Sequence, residues 1–455
     1  MNQPYVIIGG DAAGMSAASK IKRMQPKAEV IVFERGEHIS YSACGMPYWI
    51  GGIVESDEEL LVLTPEKARN KRGIDVRMHH EVTAIDRSRK QVSVHDLASS
   101  RRFVQPYGKL VIATGASAVK PPIPGMELPG VFTLRNLSDS QRIHAYIAQH
   151  APQHAVIIGG GYIGIEMAEA LIDRGLSVHV VEMLPQILPN FDAEIVADVA
   201  EHVTEKGVHL HTDSKVYSVE PCTSGGLLVT ASEGTLNADL VLVAVGVRPN
   251  GELASAAGLR MGEKGAIWVD DHMRTDDEEI YAAGDCVEHY HLVLGKNSWI
   301  PLAPSANKGG RVAGANAAGG DMRFPGILGT LVVKVFDYTM SATGVTEGEV
   351  RDSGRFGAQG EDVGSVVISS LDRAGYWPGV EKMKVKLIYQ KSSGRILGCQ
   401  LAGKAGVNKR IDIVATAIAA GMTVDDLGML DLSYAPPYSP VYDPVQVAAN
   451  VAAKE

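Results

Sequence analysis

The chain alternates between short, wholly apolar runs and stretches with the 3.6-residue period of helices. Tyr5-Val-Ile-Ile8 meets a glycine turn, and residues 15–24 then read as a helix. Val30-Ile-Val-Phe33 is a second such run, and a third begins at Tyr107 and closes on Thr114-Gly115. The succession restarts at Val156-Ile-Ile158, continues through a helix to Ile172 and a strand at Ser177–Val181, and closes with an apolar run inside 239–250. Runs apolar at every position and linked by helices predict parallel strands buried on both faces. One more buried strand, 280–283, ends in Gly284-Asp285, and a helix opens within 301–311. From about Gly329 the pattern changes. Residues 331–337, 364–369, 383–389 and 396–401 read as strands split by Gly-rich turns, and 410–420 as an amphipathic helix stopped by Gly421.

The turns after the first strand of each unit carry the nucleotide chemistry. Gly9-Gly-Asp-Ala-Ala-Gly14 follows a strand and opens a helix, so its backbone approaches a pyrophosphate that rests on the helix N-terminus. Asp11 occupies the middle glycine position of that fingerprint. Glu34 ends the next strand, placed to bond an adenosine ribose. Gly159, Gly161 and Gly164 form a full Gly-x-Gly-x-x-Gly, and Glu182 ends the strand that follows. No Arg or Lys lies between 183 and 188 to pair with a 2′-phosphate, which favours NADH over NADPH. Asp285, at a strand end, suits a ribityl hydroxyl of a flavin. The expected fold is α/β, with two Rossmann-like domains, an NADH domain inserted in an FAD domain, followed by an α+β C-terminal domain. The boundaries expected are 1–119 with 249–326 for FAD, 120–248 for NADH and 327–455 for the last domain.

Length and charge narrow the classes. At 455 residues the chain exceeds one core, and 45% hydrophobic with 21% charged residues is ordinary globular composition. A net charge of −10 argues against nucleic acid as a partner. The start of the chain lacks the features of a signal peptide, and no apolar run is long enough to span a bilayer, so a cytoplasmic protein without membrane contact is expected. Cys44, Cys222, Cys286 and Cys399 make no metal-ligand spacing and no disulfide framework, so no metal site is expected. Cys286 reads as structural. Cys44 stands at an expected helix start, in Ser40-Tyr-Ser-Ala-Cys-Gly-Met-Pro-Tyr48, where N–H groups and the helix end favour a thiolate. It reads as the redox centre.

These motifs together resemble the pyridine nucleotide–disulfide oxidoreductases over essentially the whole chain, and within them the single-cysteine branch of CoA-disulfide reductases, NADH oxidases and NADH peroxidases. The resemblance implies FAD at Gly9, Gly14, Glu34, Thr114, Gly115 and Asp285, and NADH at Gly159, Gly161, Gly164 and Glu182. It implies that Tyr162 is an aromatic gate over the flavin, that Glu166 orients nicotinamide, and that the last third is a dimerisation domain of a homodimer.

Residue choices within the branch point to CoA. Trp49 stands five positions after Cys44, where dithiol members carry a second cysteine, so an internal disulfide is replaced by a sulfenic acid, a persulfide or a mixed disulfide with a small thiol. Oxidases and peroxidases of the branch place a histidine in the first glycine turn, where Asp11-Ala12-Ala13 offers none. Cys-Gly-Met-Pro-Tyr resembles the motif of CoA-disulfide and CoA-persulfide reductases, although Ala43 stands where those commonly carry asparagine. Tyr376 and Tyr434 resemble the tyrosine pair that those reductases extend across the dimer, with Tyr438 as the alternative second member. Ser40, Arg23 and Lys71 are the expected substrate-binding residues, the two cations belonging to a basic group with Lys20, Lys22, Arg69 and Arg72 that would face polyanionic CoA. The expectation is an FAD-dependent NADH:CoA-disulfide or CoA-persulfide/polysulfide oxidoreductase. Two other activities stay open: an NADH oxidase or peroxidase cycling Cys44 through sulfenic acid, and an NADH-dependent flavoprotein passing electrons to a protein partner.

Overall fold

Two five-stranded parallel sheets carry the first two thirds of the chain, as the apolar runs predict. The computed structural model describes residues 3–223 and 225–455. In the first sheet Tyr5–Ile8 lies between Val30–Phe33 and Lys109–Ile112, with Asp75–Arg77 at one edge and Ile280–Ala282 at the other. The helix α1 (Ala12–Met24) packs on this sheet beside the helix Ala303–Ala317. That contact is backbone-close, since a Cβ on Gly310 would meet the Ala13 carbonyl oxygen at 2.2 Å and one on Gly314 that of Ala17 at 2.4 Å. Helix α1 starts three residues before the position its periodicity suggests, because Asp11 serves as its N-cap residue.

Two short helices follow, α2 (Met46–Gly51) and α3 (Pro65–Arg72). The second sheet runs Val208–His211, Ser177–Val181, His154–Ile158, Leu240–Val243, Val131–Thr133, all parallel. It carries α4 (Leu137–His150), α5 (Tyr162–Asp173) and α6 (Ala193–Glu205), and an antiparallel meander spanning 216–238 closes its other face. Helix α2 leans on α5 so closely that a Cβ on Gly51 would stand 3.2 Å from the Ala170 Cα. Trp49 stacks on His144 with ring centres 4.6 Å apart, fixing the same short helix to α4.

The C-terminal sheet is antiparallel, in the order Leu331–Val335, Tyr338–Gly344, Ile396–Gly403, Lys382–Gln390, Val363–Leu371. Met383, Val385 and Leu387 join one core with the helices Val407–Ala419 and Pro444–Ala452. Its second strand escapes a hydrophobicity pattern, because Ser341 and Thr343 are buried in it. No helix among the described residues is long and apolar enough to cross a membrane.

Candidate active site

Both glycine turns are built to the same plan. Gly9 holds φ at +101° and Gly159 at +108°, a conformation that favours glycine. A Cβ on Gly14 would meet the Gly9 carbonyl oxygen at 1.9 Å, and one on Gly164 that of Gly159 at 2.1 Å. Glu34 accepts the N–H groups of Gly10 and Gly36, each at 2.7 Å. Glu182 does the same with Gly160 at 2.7 Å and Leu184 at 2.9 Å. Neither α1 nor α5 has a side chain capping its first turn, whereas Thr64 caps α3 and Asn136 caps α4. Asp11 forms no capping bond on α1, and its carboxylate accepts the Tyr41 N–H, 3.4 Å away. Two helix ends with free N–H groups, approached by bare backbone and flanked by an anchored carboxylate, suit the pyrophosphate and ribose of two dinucleotides. The residues fit FAD and a nicotinamide dinucleotide.

Thr114 and Gly115 are locked to Asn250: the Thr114 hydroxyl donates to the Asn250 carbonyl at 2.6 Å, and the Asn250 amide donates to the Thr114 carbonyl at 2.9 Å. Asp285 follows Gly284, whose φ is +93°. Arg135 donates to its carboxylate at 2.8 Å. Burial raises the pKa of Asp285 and Arg135 opposes it. The same Arg135 reaches the Ala116 carbonyl at 2.9 Å, so a residue just before α4 organises the cleft wall. Nothing near Arg135 in the sequence marks it. Its partners lie 19 and 150 positions away.

Cys44 sits in a single 3-10 turn, Ala43–Gly45, and α2 begins only at Met46. It is exposed on its open side. Among the chain's own groups the balance runs against the thiolate that the sequence reading expects from a helix end. Burial against the cleft raises the thiol's pKa, and Glu166 and Asp285 push it further, with Arg135 alone pulling down and Asp11 adding to the rise. One turn provides little aligned dipole, and three carboxylates outweigh one guanidinium. Glu166 itself is pushed up to about 7 by burial and by Glu169, against the pull of a hydrogen bond from Tyr48 and of Lys334. Tyr48 thus joins Glu166 to the thiol stretch, and burial with Glu166 raises it to about 12. Asp11 rises to about 6, chiefly through burial.

Tyr162 opens α5, its ring meeting Phe191 edge-on at 6.3 Å. Its buried hydroxyl faces Asn190 without a well-aligned hydrogen bond. Tyr376 and Tyr434 are brought together, their hydroxyls close enough to interact, and they are 75% and 48% exposed. Neither figures among the groups that set the electrostatics of Cys44. Of the basic group, Lys22, Arg69 and Arg72 are engaged by Pro26 and Ala28, by Val76, and by Ser19. Arg23 and Lys71 are exposed, on helices that the Arg72–Ser19 bond ties together. Arg23 lies twelve residues along the chain from Asp11, roughly 18 Å along the helix, so only a long ligand reaches from it to the thiol. Ser40 acts through its backbone, with φ at +46° and its N–H on the Gly10 carbonyl at 3.1 Å.

No disulfide links any of the four cysteines, and Cys286 is wholly buried, its thiol 3.4 Å from the Ala283 carbonyl. Asp270, Asp271 and His272 cluster at the surface but are already engaged with Arg274, Arg323 and Asp321.

Comparison with known proteins matches these units. Residues 3–310 fit the family described as pyridine nucleotide-disulphide oxidoreductase, and 330–444 its dimerisation domain. A protein of Pyrococcus horikoshii, an NAD(P)H coenzyme A polysulfide/persulfide reductase, is 40% identical over 99% of this chain and 98% of its own. A Staphylococcus aureus coenzyme A disulfide reductase is 31% identical over 95% of this chain and 96% of its own. Among solved structures, the water-forming NADH oxidase of Lactobacillus brevis, bound to NADH, superposes with a TM-score of 0.94 at 29% identity, covering 100% of this chain and 98% of that one.

Proposed function

This chain belongs to the pyridine nucleotide-disulphide oxidoreductase family, and on that footing we propose that it is an FAD-dependent, NADH-driven reductase of CoA disulfide or CoA persulfide. The observation that carries the reading is the position of Cys44. Its charge environment is set by Glu166 from the second nucleotide unit and Asp285 from the first, so one thiol lies where the two sites meet. Trp49 occupies the place of a partner thiol and is held by His144, leaving the oxidised cysteine to pair with a small external thiol.

FAD, when bound, carries the two electrons of NADH to the thiol centre. Gly9, Gly14, Glu34, Thr114, Gly115 and Asp285 hold it, and Gly159, Gly161, Gly164 and Glu182 hold NADH. The buried, doubly bonded carboxylate of Glu182 disfavours a 2′-phosphate, so NADH is preferred to NADPH. Tyr162 covers the nicotinamide pocket and Glu166 orients the ring. The Cys44 thiolate attacks a CoA disulfide, forming a Cys44–CoA mixed disulfide and releasing one CoA thiol with a proton. Two electrons and a proton then release the second CoA and restore the thiolate. With CoA persulfide the first product is hydrogen sulfide instead. Arg23 and Lys71 bind the anionic end of CoA, with Ser40 shaping the wall. The dimerisation domain makes a homodimer, in which the Tyr376–Tyr434 pair of a second copy reaches the departing sulfur.

The test is anaerobic NADH oxidation with CoA disulfide, and separately with CoA persulfide, by the protein and by Cys44→Ser. Turnover that needs Cys44 is expected. No anaerobic turnover, with rapid NADH loss when air or peroxide is admitted, would replace this reading by the oxidase. Undiminished electron transfer to a protein acceptor by Cys44→Ser would replace it by the electron-transfer flavoprotein.

A further inference from the structure

The strand Lys382–Gln390 points its apolar residues at the C-terminal core and two lysines the other way, toward α6 of the second nucleotide unit. Lys384 holds Asp198 at 2.7 Å and the Glu194 carbonyl at 2.9 Å. Lys386 is 1% exposed, with Asp192 at 2.8 Å, Glu347 at 3.0 Å and Glu194 also in contact. Burial lowers the pKa of its ammonium, but the three carboxylates outweigh burial and the group is held charged. Gln400, the cross-strand neighbour of Lys386, grips Asp192 from both sides. Its amide donates to the Asp192 carboxylate at 2.6 Å, and its carbonyl accepts the Asp192 N–H at 2.8 Å. Asp192 is the N-cap residue of α6, a place where a carboxylate ordinarily accepts N–H groups of its own helix, yet it makes no such bond. Its bonding capacity goes to the C-terminal sheet.

Upstream of Asp192 runs the loop that leaves Glu182. Leu188, with φ at +50°, donates its N–H to the Gly160 carbonyl at 2.8 Å, and Ile187 lies over Gly160. Asn190 and Phe191 then form the wall against which Tyr162 rests. The wall of the gate therefore runs directly into Asp192, the residue anchored in another domain.

We propose that Lys386 and Gln400 are positioning residues for the NADH step. Through Asp192 they fix the loop 183–192, and with it the resting place of Tyr162 and the width of the nicotinamide pocket. This rests on the reading of Tyr162 and Glu182 as parts of the NADH site, and needs nothing of the CoA assignment.

The experiment follows flavin reduction by NADH in the FAD-loaded protein by anaerobic stopped flow, beside the reaction of reduced Cys44 with an aromatic disulfide. Gln400→Leu removes the grip on Asp192 without changing charge. Lys386→Met takes the shared cation from three carboxylates, so it is read only beside the Gln400 variant. The expected result for Gln400→Leu is an apparent Kd for NADH raised on the order of 10-fold with the thiol reaction unchanged. Tyr162→Ala should add little on top, since both act on one element. A Gln400→Leu protein with unaltered NADH binding, effects that simply add to those of Tyr162→Ala, or a parallel fall in both half-reactions would overturn the proposal. No flavin reduction by NADH in the unmodified protein would sink the underlying reading instead.

Discussion

The two nucleotide turns match further than their glycines. In each, an anchored carboxylate is followed five residues later by an isoleucine covering the second glycine: Glu34 then Ile39 over Gly10, Glu182 then Ile187 over Gly160. The next residue has a positive φ in both, Ser40 at +46° and Leu188 at +50°, and each donates its N–H to the carbonyl of the covered glycine. Four residues on, the copies part. The first delivers Cys44 into the cleft, and the second delivers Asp192 into the C-terminal sheet. A shared scaffold thus fixes where a segment emerges, and the few residues hung beyond it decide whether that segment does chemistry or carries an anchor. Ser40, expected among the substrate-binding residues, is this corner of the chain.

Substituting the last glycine of each turn breaks the comparison most strongly. Gly14→Val and Gly164→Val each force a side chain into a carbonyl about 2 Å away. The first should purify with little flavin. The second should keep its flavin and lose NADH affinity by roughly 10- to 100-fold, the equivalent of 1–3 kcal/mol of overpacking. Flavin absorbance and NADH titration check both. Equal loss of flavin in the two variants would show the turns not to be separate sites.

Glu166→Gln probes what the second unit imposes on the thiol of the first. The Glu166 carboxylate, charged above about pH 7, raises the pKa of Cys44, so its removal should lower that pKa. The rising limb of Cys44 alkylation against pH should move toward acid. A limb that stays put would mean that Glu166 has no hold on the thiol.

Asp11→Asn gives the smallest expected effect and tests the one residue that departs from the glycine pattern. The pKa of Asp11 is raised in the folded protein to about 6, so its ionised form costs stability above that pH and costs nothing once protonated in both folded and unfolded chains. The substitution should stabilise by about 1–2 kcal/mol at pH 8, with the gain fading as pH falls from 6 toward 4. Thermal unfolding at the two ends of that range measures it.

Local pattern revealed a great deal of this. The strands Val30–Phe33 and Ser177–Val181 have the limits that the sequence suggests, and in the first of them full burial leaves no polar position to blur the run. The glycine turns were legible for a related reason: close backbone approach admits few residue types. Lys386 was not. A lysine among alternating apolar residues reads as solvent-facing, and only the arrival of α6 from 190 positions away makes it a buried anchor. Arg135 hides in the same way, and so does the charge at Cys44, which depends on carboxylates from two separate units. Long-range electrostatics leaves no periodicity behind. The repeat itself, an isoleucine five residues after each anchored carboxylate, stands in the sequence for anyone who aligns its two halves.

The first sheet has a consequence for the birth of the protein. Its edge strand Ile280–Ala282 pairs with Lys109–Ile112, yet leaves the ribosome roughly 170 residues later, a delay of about ten to thirty seconds at 5–20 residues per second. All five strands of the second sheet emerge within that interval. The domain that starts the chain therefore waits, one edge unpaired, while the domain inserted into it is completed.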